Sequence, residues 1–407
     1  MIVYRYQGRG KKPRFGRRLL GLVFVLMLGA LPAGADERRL PETIDPAFDY
    51  LLELNANPAV KTVAPEKLAP LVDFILQDKP AGSRYVATRH RLLDPLVYHE
   101  YELPQSLATI LRYAHHPDIP SQVFALSSLR HSYWKEIDGQ PAPFPQALAD
   151  RLRALEAPLV IHGIEHEEIT PDLNSGAYYS YDLDRTLILC RVEGHLVWIS
   201  LARQRDRSDV GRKGYVLGPD QAWDYLYSGE EGVGMTGLGW VDTYMYDAFS
   251  AIVYLQSGDG ARRVRCGAFK WLRAGWNNMN FVKPDHIRGG LERYAATIRE
   301  ILETSDLPAP EQVAAAAAEI GALSRPELEA RALRQLQDLE ASYGAKDVFP
   351  SEWYRESVEK GAYLARLSRA QLEARLFLAY MKQSLGKEPP QERAALPVAR
   401  AARRAAP

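Results

Sequence analysis

The sequence predicts an α+β protein: a series of antiparallel strands, a long amphipathic helix after them, and a helical appendage at the end. Three observations predict it. Between about 159 and 273 the chain is β-branched and alternating, and the tight-turn signals Glu193-Gly194 and "SGDGA" (257–261) divide it into hairpins. The following stretch, "DHIRGGLERYAATIREILETSD", sets Ile287, Leu291, Tyr294, Ile298 and Ile301 in one stripe at helical spacing, with Asp285 as its expected N-cap. Beyond Pro308 the composition turns alanine-rich, and "LSRPELEARALRQL" at 323 is echoed by "LSRAQLEARLFLAY" at 367, both explained by serine-capped helix starts.

The first element is a leader. A basic stretch (1–18), the apolar run "LLGLVFVLMLGAL" and the small residues Ala33-Gly34-Ala35 fit a secretory signal peptide over residues 1–35, with an uncleaved anchor as the alternative. Arg17-Arg18 also matches a twin-arginine export signal. The expected location is therefore the periplasm or outside the cell. Removing the leader removes seven of the 51 basic residues and none of the 51 acidic ones, leaving a net charge near −7. That balance gives no general attraction to phosphate backbones and disfavours nucleic-acid partners. The two cysteines, Cys190 and Cys266, lie in strand-like runs, where a disulfide and two separately buried thiols are equally compatible with the sequence.

After the leader, "PAFDYLLELNAN" and "PEKLAPLVDFILQDK" have helical spacing, parted by proline turns, within residues 41–80. A strand is expected over 83–93, a short helix within 103–120, strand chemistry over 123–139, and a helix in "FPQALADRLRALEAP" ended by Pro158. The segment from Arg205 to Gly239 is turn-rich, and one strand is expected from Trp240 to Gln256. There Trp240, Asp242, Tyr244, Tyr246 and Tyr254 would share one face, and Val241, Met245, Phe249 and Val253 the other. In the last strand Arg263, Arg265, Phe269 and Trp271 oppose Val264, Cys266, Ala268 and Leu272. Gly289 and Gly290 cost helix propensity and are expected to mark close approach to the sheet. The expected division is an α+β domain over 41–304, a helical region over 308–387 and a disordered tail over 388–407.

From about 83 to 304, the element order and the strand, "AGWNNMN" (274–280), long-helix ending resemble the START-like helix-grip superfamily of lipid-binding domains. The resemblance implies a curved antiparallel sheet folded around the long helix, an apolar cavity between them, a lipid or other apolar ligand, and no cofactor. Trp276, Met279 and Phe281 would then line or gate the pocket, since Met adapts to irregular shapes and Trp offers an apolar body with one donor. Trp198, Trp240, Tyr244, Tyr246, Phe269 and Trp271 would add aromatic lining. Arg265, with Arg191 and Arg263, would meet an acidic head group if it points inward.

Catalytic signals are few. "HGIEH", with His162, Glu165 and His166, matches the inverted zinc-peptidase pattern, but that chemistry needs a helix and the surrounding Val160, Ile161 and Ile164 favour a strand. "GVGMTG" (232–237) satisfies a dinucleotide pattern without the helix that would hold a pyrophosphate, and "HHPDIP" (115–120) is a helix stop. There is no G-x-S-x-G and no phosphate-binding loop, and paired acids such as Asp182 and Asp184 are too common in turns to support a glycosidase. The expectation is an exported binding protein for a lipid-like ligand. The alternatives are a partner-binding envelope scaffold that assembles through its C-terminal helices, or a metal hydrolase at His162, Glu165 and His166.

Overall fold

A computed structural model describes residues 37–79, 83–88, 95–141, 148–153, 155–173, 175–235, 239–258, 260–344 and 362–387. The leader with its cleavage and export signals, Thr236 and Gly237 of "GVGMTG", and the expected disordered tail lie outside these residues. In chain order the strands are β1 (Glu37–Arg39), β2 (Arg84–Thr88), β3 (Pro95–Leu103), β4 (Leu129–Ile137), β5 (Gln140–Pro141), β6 (Leu159–Ile169), β7 (Ala177–Tyr178), β8 (Ser180–Val192), β9 (His195–Gln204), β10 (Arg212–Val216), β11 (Tyr225–Glu231), β12 (Val233–Met235), β13 (Gly239–Val241), β14 (Tyr244–Gln256) and β15 (Val264–Gly275). The helices are α1 (Asp45–Ala56), α2 (Ala69–Leu76), α3 (Leu107–Ala114), α4 (Leu148–Arg153), α5 (Pro284–Glu303), α6 (Pro310–Gly321), α7 (Arg325–Tyr343), α8 (Ala362–Arg366) and α9 (Arg369–Ser384).

The protein is α+β. Ten of the described strands form one curved, open sheet in the order β1-β2-β3-β15-β14-β9-β8-β6-β4-β5. Every pairing is antiparallel except β1 with β2, so the sheet is mixed where a purely antiparallel one was expected. The hairpin signals hold: Glu193-Gly194 joins β8 to β9 with both residues at positive φ, the geometry of a two-residue turn between twisted strands.

Period-two alternation gives each central strand two apolar faces, and both are covered. Val197, Ile199, Val253, Phe269 and Trp271 meet α1 and α2 through Phe48, Leu51, Leu71 and Ile75. On the opposite face Leu187, Trp198, Tyr254 and Ala268 meet α3 and α5 through Ile110, Ile287, Leu291 and Ile298. The expected α5 stripe is the buried one, with Tyr294 half-buried and its hydroxyl 3.1 Å from that of Tyr254. The C-terminal helices belong to the same packed body. Leu372, Leu376, Phe377 and Met381 of α9 are buried in the core that contains α5. Both serine starts are capped: Glu327 accepts from the Ser324 N–H at 2.8 Å and Gln371 from the Ser368 N–H at 3.0 Å.

Several expectations are corrected. α5 begins at Pro284, whose fixed φ suits the first helical position, so Asp285 lies in the first turn and is not the cap. Gly289 and Gly290 approach nothing; a Cβ at either would meet open space. The strand chemistry of 123–139 is a 3-10 turn (Ser121–Phe124) followed by β4. The turn-rich segment contains β10 and β11, and β10 pairs with both β11 and β7 in a small three-stranded sheet. Asp182 and Asp184 lie within β8 and in no turn. The strand expected from Trp240 is two: β13 pairs with β12 apart from the main sheet, and β14 starts at Tyr244. A bulge between Met245 and Asp247 then reverses the alternation, so Met245 packs beside Ala248, on the face opposite Phe249 and Val253.

Candidate functional site

Between the large sheet and α5 lies a cavity of about 210 Å³, bounded also by the C-terminal end of α3. Its apolar wall is Ile110, Phe124, Trp198, Tyr254, Leu291 and Ile298. Trp198 and Tyr254 sit on neighbouring strands in register and stack, with ring centroids 4.1 Å apart.

The opposite wall is charged. Glu165 and Glu167 project from β6, Tyr181 and Arg185 from β8, Ser200 from β9 and Lys270 from β15, each placed on this face by strand alternation. The Arg185 fork donates to Glu165 Oε2 at 2.7 Å, to Glu167 Oε1 at 2.9 Å and to Ser200 Oγ at 3.2 Å. Tyr181 donates to Glu167 Oε2 at 3.2 Å, and Ser132 to Glu165 Oε1 at 2.5 Å. One guanidinium thus holds two carboxylates whose remaining oxygens are also bonded, as a buried ion cluster requires. Burial works against the Arg185 charge, yet the two carboxylates more than offset it and raise its pKa. Burial raises the Glu167 pKa, with Arg185 opposing and Glu165 reinforcing.

Lys270 differs from these. It lines the same cavity, and no hydrogen-bond or ion-pair partner is recorded for it among the described residues. Burial holds its pKa below the ordinary lysine value; Glu167 opposes that shift and Arg185 adds to it. A cationic anchor therefore faces an apolar chamber, beside a carboxylate pair already committed to arginine. Gly290 of α5 stands at the rim, where a side chain would enter free space.

Of the ten residues expected to line a pocket, Trp198 lines this one. Phe269 and Trp271 lie on the other face of the sheet, packed under α1 and α2, where Trp271 stacks on Phe249 at 4.3 Å. Arg265 is tied to Glu100 at 2.8 Å and to the Leu76 carbonyl at 2.9 Å, and Arg263 pairs with Glu102 at the surface. Arg191 is exposed. Trp240 lies on the β12–β13 hairpin, 54% exposed. Tyr244 opens β14 and Tyr246 is the inserted residue of its bulge, and they lie under the guanidiniums of Arg207 and Arg273 respectively. "AGWNNMN" is a tight turn: Met279 N–H bonds the Trp276 carbonyl at 3.0 Å, and Asn277 and Asn278 between them both have positive φ. Trp276 stacks on Phe281 at 3.8 Å, and Met279 and Phe281 are exposed. The loop is a connector at the sheet's rim.

The motif "HGIEH" lies on β6, a strand. His162 contacts the Val60 carbonyl and Thr186 on the α1 side, and His166 bonds Asp182 at 2.8 Å. Glu165 projects from the opposite face to Arg185, so the three residues do not converge. No group of three His, Cys, Asp or Glu with metal-ligand proximity occurs among the described residues.

The cavity residues missed from sequence are Glu167, Arg185 and Lys270; Glu165 was named, but as part of a metal site with His162 and His166. Their signal was present: Arg185 alternates with Leu183 and Leu187, and Lys270 falls on the same face as Ala268 and Leu272. A charge on an otherwise aliphatic face marks a buried site. No protein-family model, curated protein or solved structure matches this chain.

Proposed function

We propose that the protein is an exported binding protein that holds a small amphipathic acid between its sheet and α5, the ligand's acidic group on Lys270 and its apolar part against Trp198 and Tyr254. The observation that carries this reading is the lysine without a hydrogen bond or ion pair among the described residues, set in a chamber where the Trp198 indole N–H is also unbonded. Lys270 is half-buried and its nearest carboxylate, Glu167, is already bonded to Arg185, so a ligand carboxylate or phosphate would supply the ammonium with a direct partner. The placement of α5 across the sheet, with the cavity between them, supports the helix-grip resemblance. The volume narrows the ligand class. About 210 Å³ is below the ~300–1,000 Å³ usual for drug-sized ligands, which favours a short-chain or single-ring acid over a whole phospholipid.

Trp198 supplies an intrinsic reporter. Titrating the protein with octanoate is expected to shift tryptophan emission, and Lys270→Met to weaken that binding at least tenfold with the far-ultraviolet circular dichroism unchanged. Gly290→Leu, which adds bulk at the rim, is expected to have the same effect. Octanoate binding unaltered by Lys270→Met, or absent from the parent protein, would sink the proposal.

A further inference from the structure

A second, larger chamber of about 520 Å³ opens elsewhere, between the β11 side of the small sheet and the helices α7 and α9. Trp223, Tyr225 and Tyr227 line one side, and Leu339 of α7 and Leu378 of α9 another. The rest is unusually cationic. Six basic side chains border it, against two acids, Asp224 and Asp338.

Three of the six are neutralised. Arg130 pairs with Glu168 and lies 3.9 Å over the Tyr227 ring. Lys382 pairs with Asp224. Lys387 pairs with Glu300 at 2.5 Å and sits 4.1 Å over the Trp223 ring. The other three, Arg331, Arg334 and Arg375, have no ion pair among the described residues. Arg375 is the most informative. Its Nε is buried with no hydrogen-bond partner, and burial, its largest influence, lowers its pKa, with Arg130 adding to the shift. A half-buried guanidinium whose Nε is shut away without a partner is uncommon, because desolvation is not repaid unless an anion is supplied. Arg334 is exposed and Arg331 half-buried, both on α7, giving a graded entry toward Arg375.

We propose that this chamber is a separate binding site for an amphipathic oxyanion, a phosphate ester by preference, whose charged group meets the fork of Arg375 with Arg331 and Arg334 at the entrance, and whose apolar part lies against Trp223, Leu339 and Leu378. Arginine favours phosphate because its planar fork bonds two oxygens at once. The site shares none of its three arginines with the sheet–α5 cavity, so the two proposals stand or fall apart.

The test is calorimetric titration of the full chain with octyl phosphate and, separately, with inorganic phosphate, at 50 and 200 mM NaCl. Octyl phosphate is expected to bind and to weaken with salt. Titrated in a Lys270→Met background, which removes the sheet–α5 cavity as a competing acid site, Arg375→Met should lower its affinity at least tenfold. Where Arg375→Met fails to fold, the pair Arg331→Gln with Arg334→Gln, at partly or fully exposed positions, should still cost about tenfold. Inorganic phosphate binding as tightly as octyl phosphate would keep the anion site and assign free phosphate as its occupant. Absence of binding by both probes, or binding unmoved by the arginine variants, would overturn the proposal.

Discussion

His115 caps the C-terminal end of α3, buried against Trp198 with ring centroids 5.3 Å apart. Burial, and next the nearby Arg185, lower its pKa from 6.5 to about 3. Between those two values the unfolded chain takes up a proton that the folded protein refuses. His115 therefore leaves stability intact above pH 6.5 and removes up to about 1.4 kcal/mol for each pH unit below it, until the folded form titrates near 3. Urea midpoints at pH 7, 5.5 and 4.5 are expected to fall in the parent and to fall less steeply in His115→Leu. Equal slopes would show that His115 does not carry the acid sensitivity. A buried histidine of this kind is not legible from its neighbours, since "AHHPDIP" predicts only the end of a helix. Lys270 was legible in principle. The face carrying Val264, Cys266, Ala268 and Leu272 was identified correctly, and Lys270 is its interruption. Aromatic residues dominate the sequence signal because they are large, whereas Lys270 is a single charge on an aliphatic face.

Among the elements, the turn after β15 is the best specified. Its two central residues adopt left-handed backbone conformations, φ 51° at Asn277 and 58° at Asn278, which asparagine tolerates better than most residues. The Asn278 N–H donates to the Tyr246 hydroxyl at 2.9 Å, tying the turn to the bulge of β14. Asn278→Gly is expected to leave the melting temperature unchanged or raise it, whereas Asn278→Val should cost about 1–2 kcal/mol. Thermal melts of both variants decide it; equal effects would contradict the assignment of strain to the left-handed backbone. Long elements with one clean period, such as α5 and the β8–β9 hairpin, were legible. The bulge was not, because one inserted residue moves every side chain before it to the other face while the alternation looks unbroken in sequence. Short strands were also hidden: β10 and β11 gain their stability from pairing with each other, and their glycines read as turns.

At the scale of the whole molecule, the sheet is a wall that the sequence could not reveal. Cys190 faces the α1–α2 side and Cys266 the α5 side, both buried and free. Their strands β8 and β15 stand three places apart in the sheet, roughly 14 Å at the usual spacing of about 4.8 Å. That is well beyond disulfide reach, so the alternative the sequence left even is settled as two separate thiols. Alkylation followed by intact mass is expected to add no label to the native protein and two labels in urea, without any reductant. A requirement for reductant would refute this. The same sheet has one more consequence. Its interior strands run to 13 residues, yet the strands at its two ends have three and two, and β4, inside the shorter end, is bulged twice. Another chain arriving at either end would find charged residues on β1 or a broken row of amides along β4. Growth by edge-to-edge addition is thus discouraged by the outermost, least conspicuous strands, and crowding in a concentrated compartment has little unfinished ladder to extend.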